Sequence, residues 1–119
     1  MKLEEEAKRF MQSHNKSLIS AHEYQEKCKT TAIYPKKDAI AYLSLGLVSE
    51  AGEVAGKVKK QIRDGTESNI ASEIGDVLWY CAMLANELNV NLGKIMEDNL
   101  YKLNDRKTRG TLRGSGDSR

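Results

Sequence analysis

Proline, tryptophan and phenylalanine occur once each in 119 residues, and all aromatics together make up 6%. Alternating apolar and polar runs are missing as well, so strands have nothing to start from and an all-α chain is expected. Cysteine is scarce. Cys28 and Cys81 form no Cys-x-x-Cys pair, no zinc pattern and no disulfide framework, and read as small buried residues in a reducing compartment. Nowhere are there the roughly 18 uninterrupted apolar residues that a membrane span requires. The stretch MKLEEEAKRF is acidic where a secretory leader would be basic and then apolar, so a cytoplasmic protein with no membrane partner is expected. A large charge of one sign is lacking too. The net charge is +2, but residues 106–119 carry five basic groups against one acid, a surplus of +4 that leaves −2 on residues 1–105. A nearly neutral body with a basic end is not built to coat nucleic acid, and no stable complex with it is expected.

What is present suits one helical domain. Apolar residues make up 39%, and the nine glycines bring the total near the globular average. The reading divides the chain into an N-terminal helical extension over 1–17, a helical domain over 18–107 and a basic, Gly-rich tail over 108–119. In the extension, a short charged helix from Leu3 to about Ser13 places Leu3, Ala7, Phe10 and Met11 on one side. Ser20 and Glu23 make a capping box for a helix running to about Thr31, broken by Ala32-Ile33-Tyr34-Pro35. A long helix follows from about Asp38 to Arg63, stopping at Asp64-Gly65. Thr66 is expected to cap the next helix, which ends near Asn89, and Asn91 the last, which ends near Lys107. The fold class is thus a four-helix-bundle-like domain with a short extra N-terminal helix. At this length a single chain covers only about two-thirds of its surface, so an oligomer is expected.

Two helices carry acids where a core should be. Taking about 100° per residue from Glu50, the apolar residues Ile40, Leu43, Leu47, Val54 and Val58 fall between roughly 20° and 80°, with Glu53 at about −60°. From Glu73, the residues Ile70, Val77, Leu84 and Leu88 fall between roughly 20° and 60°, with Asp76 at about −60°. Each helix therefore brings an i, i+3 acid pair to the margin of its buried face. Glutamate is seldom placed there without a partner, and four converging carboxylates must protonate or find a cation. Lys57 and Lys60 are nearby in sequence, with stems that reach water. All-oxygen ligands suit Mg²⁺, or Mn²⁺ in its place, better than zinc or copper. A di-iron centre would need Glu-x-x-His, and neither His14 nor His22 follows a glutamate at that spacing. From the residues alone, a hard-cation site and a solvated, salt-bridged acidic face both stay open.

The stretches Leu47-Val48-Ser49-Glu50-Ala51-Gly52-Glu53 and Glu73-Ile74-Gly75-Asp76-Val77-Leu78 resemble the ExxE…ExxD signature of the MazG-like nucleotide pyrophosphohydrolases, in the all-α NTP pyrophosphatase superfamily. The resemblance runs from about Ser20 to Arg119, and residues 113–119 are similar to the ends of small phage- and integron-type members. It implies Mg²⁺-dependent hydrolysis of a nucleoside triphosphate to the monophosphate and pyrophosphate. It further implies Glu50, Glu53, Glu73 and Asp76 as metal ligands. A carboxylate among them, Glu50 before Glu53, would take the proton of the attacking water. Asn99, Lys102 and Arg106 would contact phosphate, and Gln25, Tyr34 and Tyr80 the base. Trp79 reads as core packing. Relatives form dimers or tetramers, so a homotetramer built from dimers is expected. Gly46, Gly52 and Gly56 in the long helix are read as points of close approach.

Two other readings compete. One keeps the superfamily but takes dUTP or phosphoribosyl-ATP as substrate. The latter relatives usually carry a doubled acid where this chain has Ala51-Gly52. The other is a non-catalytic helical oligomerisation or adaptor module that binds no Mg²⁺, and a metal-binding module without turnover lies between the two.

Overall fold

The computed structural model describes residues 4–6, 8, 9, 18–116 and 119. Residues 4–6, 8 and 9 are helical, while Leu3, Ala7, Phe10 and Met11 lie outside the described residues. Four further helices follow: α1 (Ala21–Cys28), α2 (Ala39–Asp64), α3 (Ile70–Glu87) and α4 (Leu92–Thr108). A 3₁₀ turn over Lys29–Thr31 extends α1, and no strand occurs among the described residues.

The helix ends follow from local chemistry. Ser20 Oγ accepts from the Glu23 amide at 3.1 Å, but the Glu23 carboxylate pairs with Lys27 at 3.0 Å, so half of the expected capping box forms. Gly65, at φ 70°, ends α2 and donates its amide to the Gln61 carbonyl. Asn89, at φ 57°, ends α3, with the Val90 amide on Ala85 and its own on Asn86. Gly110 at φ 72° repeats this after α4, with Thr111 on Arg106 and Gly110 on Lys107. Both pairs are the crossed bonds that satisfy a helix's last carbonyls.

One boundary differs from the expectation. The cap of α3 is Asn69, whose Oδ1 accepts from the Ser72 amide at 3.1 Å, and not Thr66. Gln61 is the cause: its Oε1 accepts from both the amide and the hydroxyl of Ser68 at 3.0 Å, drawing the connection onto α2 and delaying the helix start.

The short connection folds α3 back along α2, and these two helices form the main packing pair, with α1 and α4 also resting on α3. Because α3 is covered on two sides, its fully buried residues are Ala82, Met83 and Ala85, while Val77 and Leu84 are half-buried and Leu88 is exposed. On α2, Leu43 is fully buried, Leu47 and Val54 half-buried, and Ile40 and Val58 reach solvent at its ends and margin. Cys28, Tyr34, Ala39, Leu43, Ala82, Met83 and Leu92 form the central cluster.

Candidate active site

The pairing of α2 with α3 brings Glu50, Glu73 and Asp76 together, with one carboxylate oxygen of each within 4.8 Å of the others. Glu50 and Glu73 are half-buried and Asp76 is exposed. Burial pushes the Glu50 carboxyl above its usual range, and the charges of Asp76, Glu73 and Glu53 add to the push. Glu73 moves the opposite way. A hydrogen bond from Lys57 holds it below the usual range. Lys57 Nζ stands 2.8 Å from Glu73 Oε1 and also donates to the Asn69 carbonyl at 3.0 Å. That corrects the picture of a lysine stem running out to water.

Three of the four expected acids thus converge. Glu53 is exposed and stands outside the trio, yet it is near enough for its charge to raise Glu50. Three carboxylates with one lysine among them leave a net negative charge, and such hard oxygen donors fit a divalent cation.

Beside the acids lies a cavity of about 330 Å³, lined by Thr31, Glu50, Asp76, Trp79 and Tyr80. Its aromatic wall is braced. Trp79 Nε1 donates to Thr31 Oγ1 at 2.8 Å, and that hydroxyl donates to the Cys28 carbonyl at 3.0 Å. The Trp79 and Tyr80 rings meet edge to face at 5.0 Å, and Tyr34 packs edge-on behind Trp79 at 6.4 Å. A Cβ on Gly46 would stand inside the Tyr80 ring, so this glycine is a point of close approach. Within one chain Gly52 and Gly56 are not, since a Cβ at either meets nothing within 4 Å. On the far side, the Tyr24 hydroxyl reaches the Gly75 carbonyl at 3.4 Å, and its pKa is pushed up to about 12, mainly by burial.

Other expected site residues sit elsewhere. Gln25 is buried and bonded at both ends of its amide: Nε2 donates to the Val90 carbonyl at 2.9 Å, and Oε1 accepts from the Leu92 amide at 2.8 Å. It lines a different cavity with His22 and Asn91, and not the one beside the acids. Tyr34 is buried, donates its hydroxyl to Glu87 Oε1 and carries Lys36 Nζ 4.6 Å over its ring. It supports Trp79 from behind and does not line the acidic cavity. Asn99 and Lys102 line a separate hollow with Ile95 and Asp98. Arg106 is buried at 4% exposure, and its carbonyl anchors Thr111.

Thr31 and Trp79 were not legible as site residues. For Trp79 a signal existed: it lies three residues after Asp76, and Tyr80 four, which sets both rings above that acid on one helix face. For Thr31 there was none, because its role depends on how α1 meets α3.

The sequence model of the MazG nucleotide pyrophosphohydrolase domain matches residues 39–110, which contain all four acids. The chain belongs to the MazG family. Among curated proteins, the gene 37 protein of Mycobacterium phage L5 is similar, 46% identical over 109 residues that cover 81% of this chain and 96% of the phage protein. No solved structure matches. Membership in the MazG family gives the converged acids of α2 and α3 a chemical context that a lone acidic cluster would lack.

Proposed function

We propose that this protein hydrolyses nucleoside or deoxynucleoside triphosphates to the monophosphate and pyrophosphate, with water attacking the α-phosphorus. The carrying observation is the meeting of Glu50, Glu73 and Asp76 beside an aromatic-walled cavity in a MazG-family chain. Those three carboxylates, with Glu53 at the exposed edge, would hold Mg²⁺, or Mn²⁺ in its place. When bound, the cation supplies Lewis acidity toward phosphate oxygens and makes water more acidic. Glu50, raised by burial and by like charges, is the group suited to accept the proton of the attacking water. Trp79 and Tyr80 offer faces against which a base can stack.

In one chain Asn99, Lys102 and Arg106 lie on α4, which does not pack on α2 among the main helix contacts. Asn99 and Lys102, both exposed, would contact phosphate only where a second copy carries them to the acids, and Arg106, buried within one chain, would first have to be uncovered. Self-association has a ready surface. Leu45, Val48, Gly52, Ala55, Lys59 and Ile62 recur at alternating steps of three and four along the outer face of α2, all exposed, with Leu45 at 72% and Ile62 at 82%. Such spacing suits a helix-pairing seam, and the small residues at its centre would let a twofold-related copy come close. Met96, Leu100 and Leu103 make a second exposed row on α4, as a tetramer built from dimers requires. The enzyme is read as cytoplasmic, where triphosphates and Mg²⁺ are at hand.

The test is product analysis over a panel of nucleoside triphosphates, with Mg²⁺ or EDTA, for wild type, Glu50→Gln and Asp76→Asn. The expected result is Mg²⁺-dependent monophosphate and pyrophosphate, falling about a hundredfold or more in Glu50→Gln. Orthophosphate as product would move the attack away from the α-phosphorus. No turnover, together with no rise in melting temperature on adding Mg²⁺, would leave the helical interaction module as the better reading.

A further inference from the structure

An acidic trio built for a cation should repel itself when metal-free, and the two half-buried members respond differently. Glu73 has an ion-pair partner, while Glu50 has none among the described residues. The difference lies in Lys57. Its ammonium crosses from α2 to α3, where it pairs with Glu73 Oε1 at 2.8 Å and donates to the carbonyl of Asn69, the cap of that helix, at 3.0 Å. Neither partner is a surface group: the side chains are 27% and 15% exposed, well below the other pairs of known exposure that join Lys27 to Glu23 or Arg109 to Asp105. Glu73 also sits in the first turn of α3, where the helix dipole already favours a negative charge. The lysine therefore adds more than charge balance. It fixes which way the carboxylate points and ties α2 to the helix that carries both Glu73 and Asp76.

We propose that Lys57 is a built-in counter-ion of the metal site: it holds Glu73 in place before metal arrives and must give up that carboxylate, wholly or in part, when a divalent cation binds. It is a positioning residue, acting through Glu73, and it sets the affinity for the cation. Two cations cannot share Glu73 Oε1 without repulsion, so removing the ammonium favours the metal and weakens the metal-free fold. The inference rests on the metal reading given above.

The experiment is calorimetric titration of metal-free, full-length protein with Mg²⁺ and with Mn²⁺, alongside melting temperatures with and without metal. Lys57→Met is expected to bind Mg²⁺ about fivefold tighter, to melt lower than wild type when metal-free, and to gain more from added metal. Lys57→Arg, which keeps the charge, and Lys60→Met, which removes an exposed charge from the same helix, are expected to stay near wild type. Should Lys57→Met not fold, Lys57→Gln keeps a donor for the Asn69 carbonyl and carries the same expectation. Unchanged or weaker metal binding on loss of the ammonium overturns the proposal, as does equal tightening in Lys60→Met. Failure of wild type to bind either metal overturns the metal reading itself, and the counter-ion role falls with it.

Discussion

Tyr34 shows how a side chain that reads as a ligand contact can be spent on the fold. Its hydroxyl donates to Glu87, and Lys36 approaches the same carboxylate at 3.4 Å. The Tyr34 hydrogen bond is the main reason that Glu87 lies below the usual carboxylate range. A depressed folded-state pKa contributes stability above the unfolded value and loses it as the pH falls through the folded one. Tyr34→Phe is therefore expected to melt a few degrees below wild type at neutral pH, with the gap closing in acid below the ordinary carboxylate pKa. Thermal melts of the pair from pH 7 to pH 3 check this, and a gap that stays constant would remove Glu87 from the account. The acids were legible in the sequence because helical periodicity alone sets Glu50 and Glu73 at the edge of apolar stripes. The pairing of Lys57 with Glu73 was not. Nor was the commitment of Gln25, since both depend on which groups a neighbouring helix presents.

At the scale of the element, glycine separates close packing from open surface. Gly46 has the Tyr80 ring where its Cβ would go, while Gly56 has nothing near it. Gly46→Ala is expected to cost about 1–3 kcal/mol through overpacking, in spite of alanine's better helix propensity. Gly56→Ala should instead gain up to about 1 kcal/mol. Chemical denaturation of the two variants decides it, and two shifts of the same sign would contradict the packing. Caps written into single residues, such as Ser20, Gly65 and Asn91, were readable from the sequence. The start of α3 was missed because it is set from outside the element, by Gln61 drawing Ser68 onto α2.

For the whole molecule, the core is thin. Leu43 and Met83 are the largest fully buried side chains among the described residues, while Leu45, Val48 and Ile62 face outward. Leu45→Glu with Ile62→Glu is expected to reduce the oligomer seen by size-exclusion chromatography with light scattering, with helicity by circular dichroism retained. An unchanged mass would assign the α2 stripe to some other partner. The all-helical fold was legible because the sequence offers helix caps and no strand pattern. The cavity wall was not, because Thr31 and Trp79 are brought together only by folding. The amide of Gln25 bears on the molecule as a mechanical object. It clasps the carbonyl of Val90 and the amide of Leu92 at once, on either side of the bend into α4. That bend cannot open without losing both bonds together, so α4 is latched to α1, and the two are bound to leave the fold as one cooperative unit.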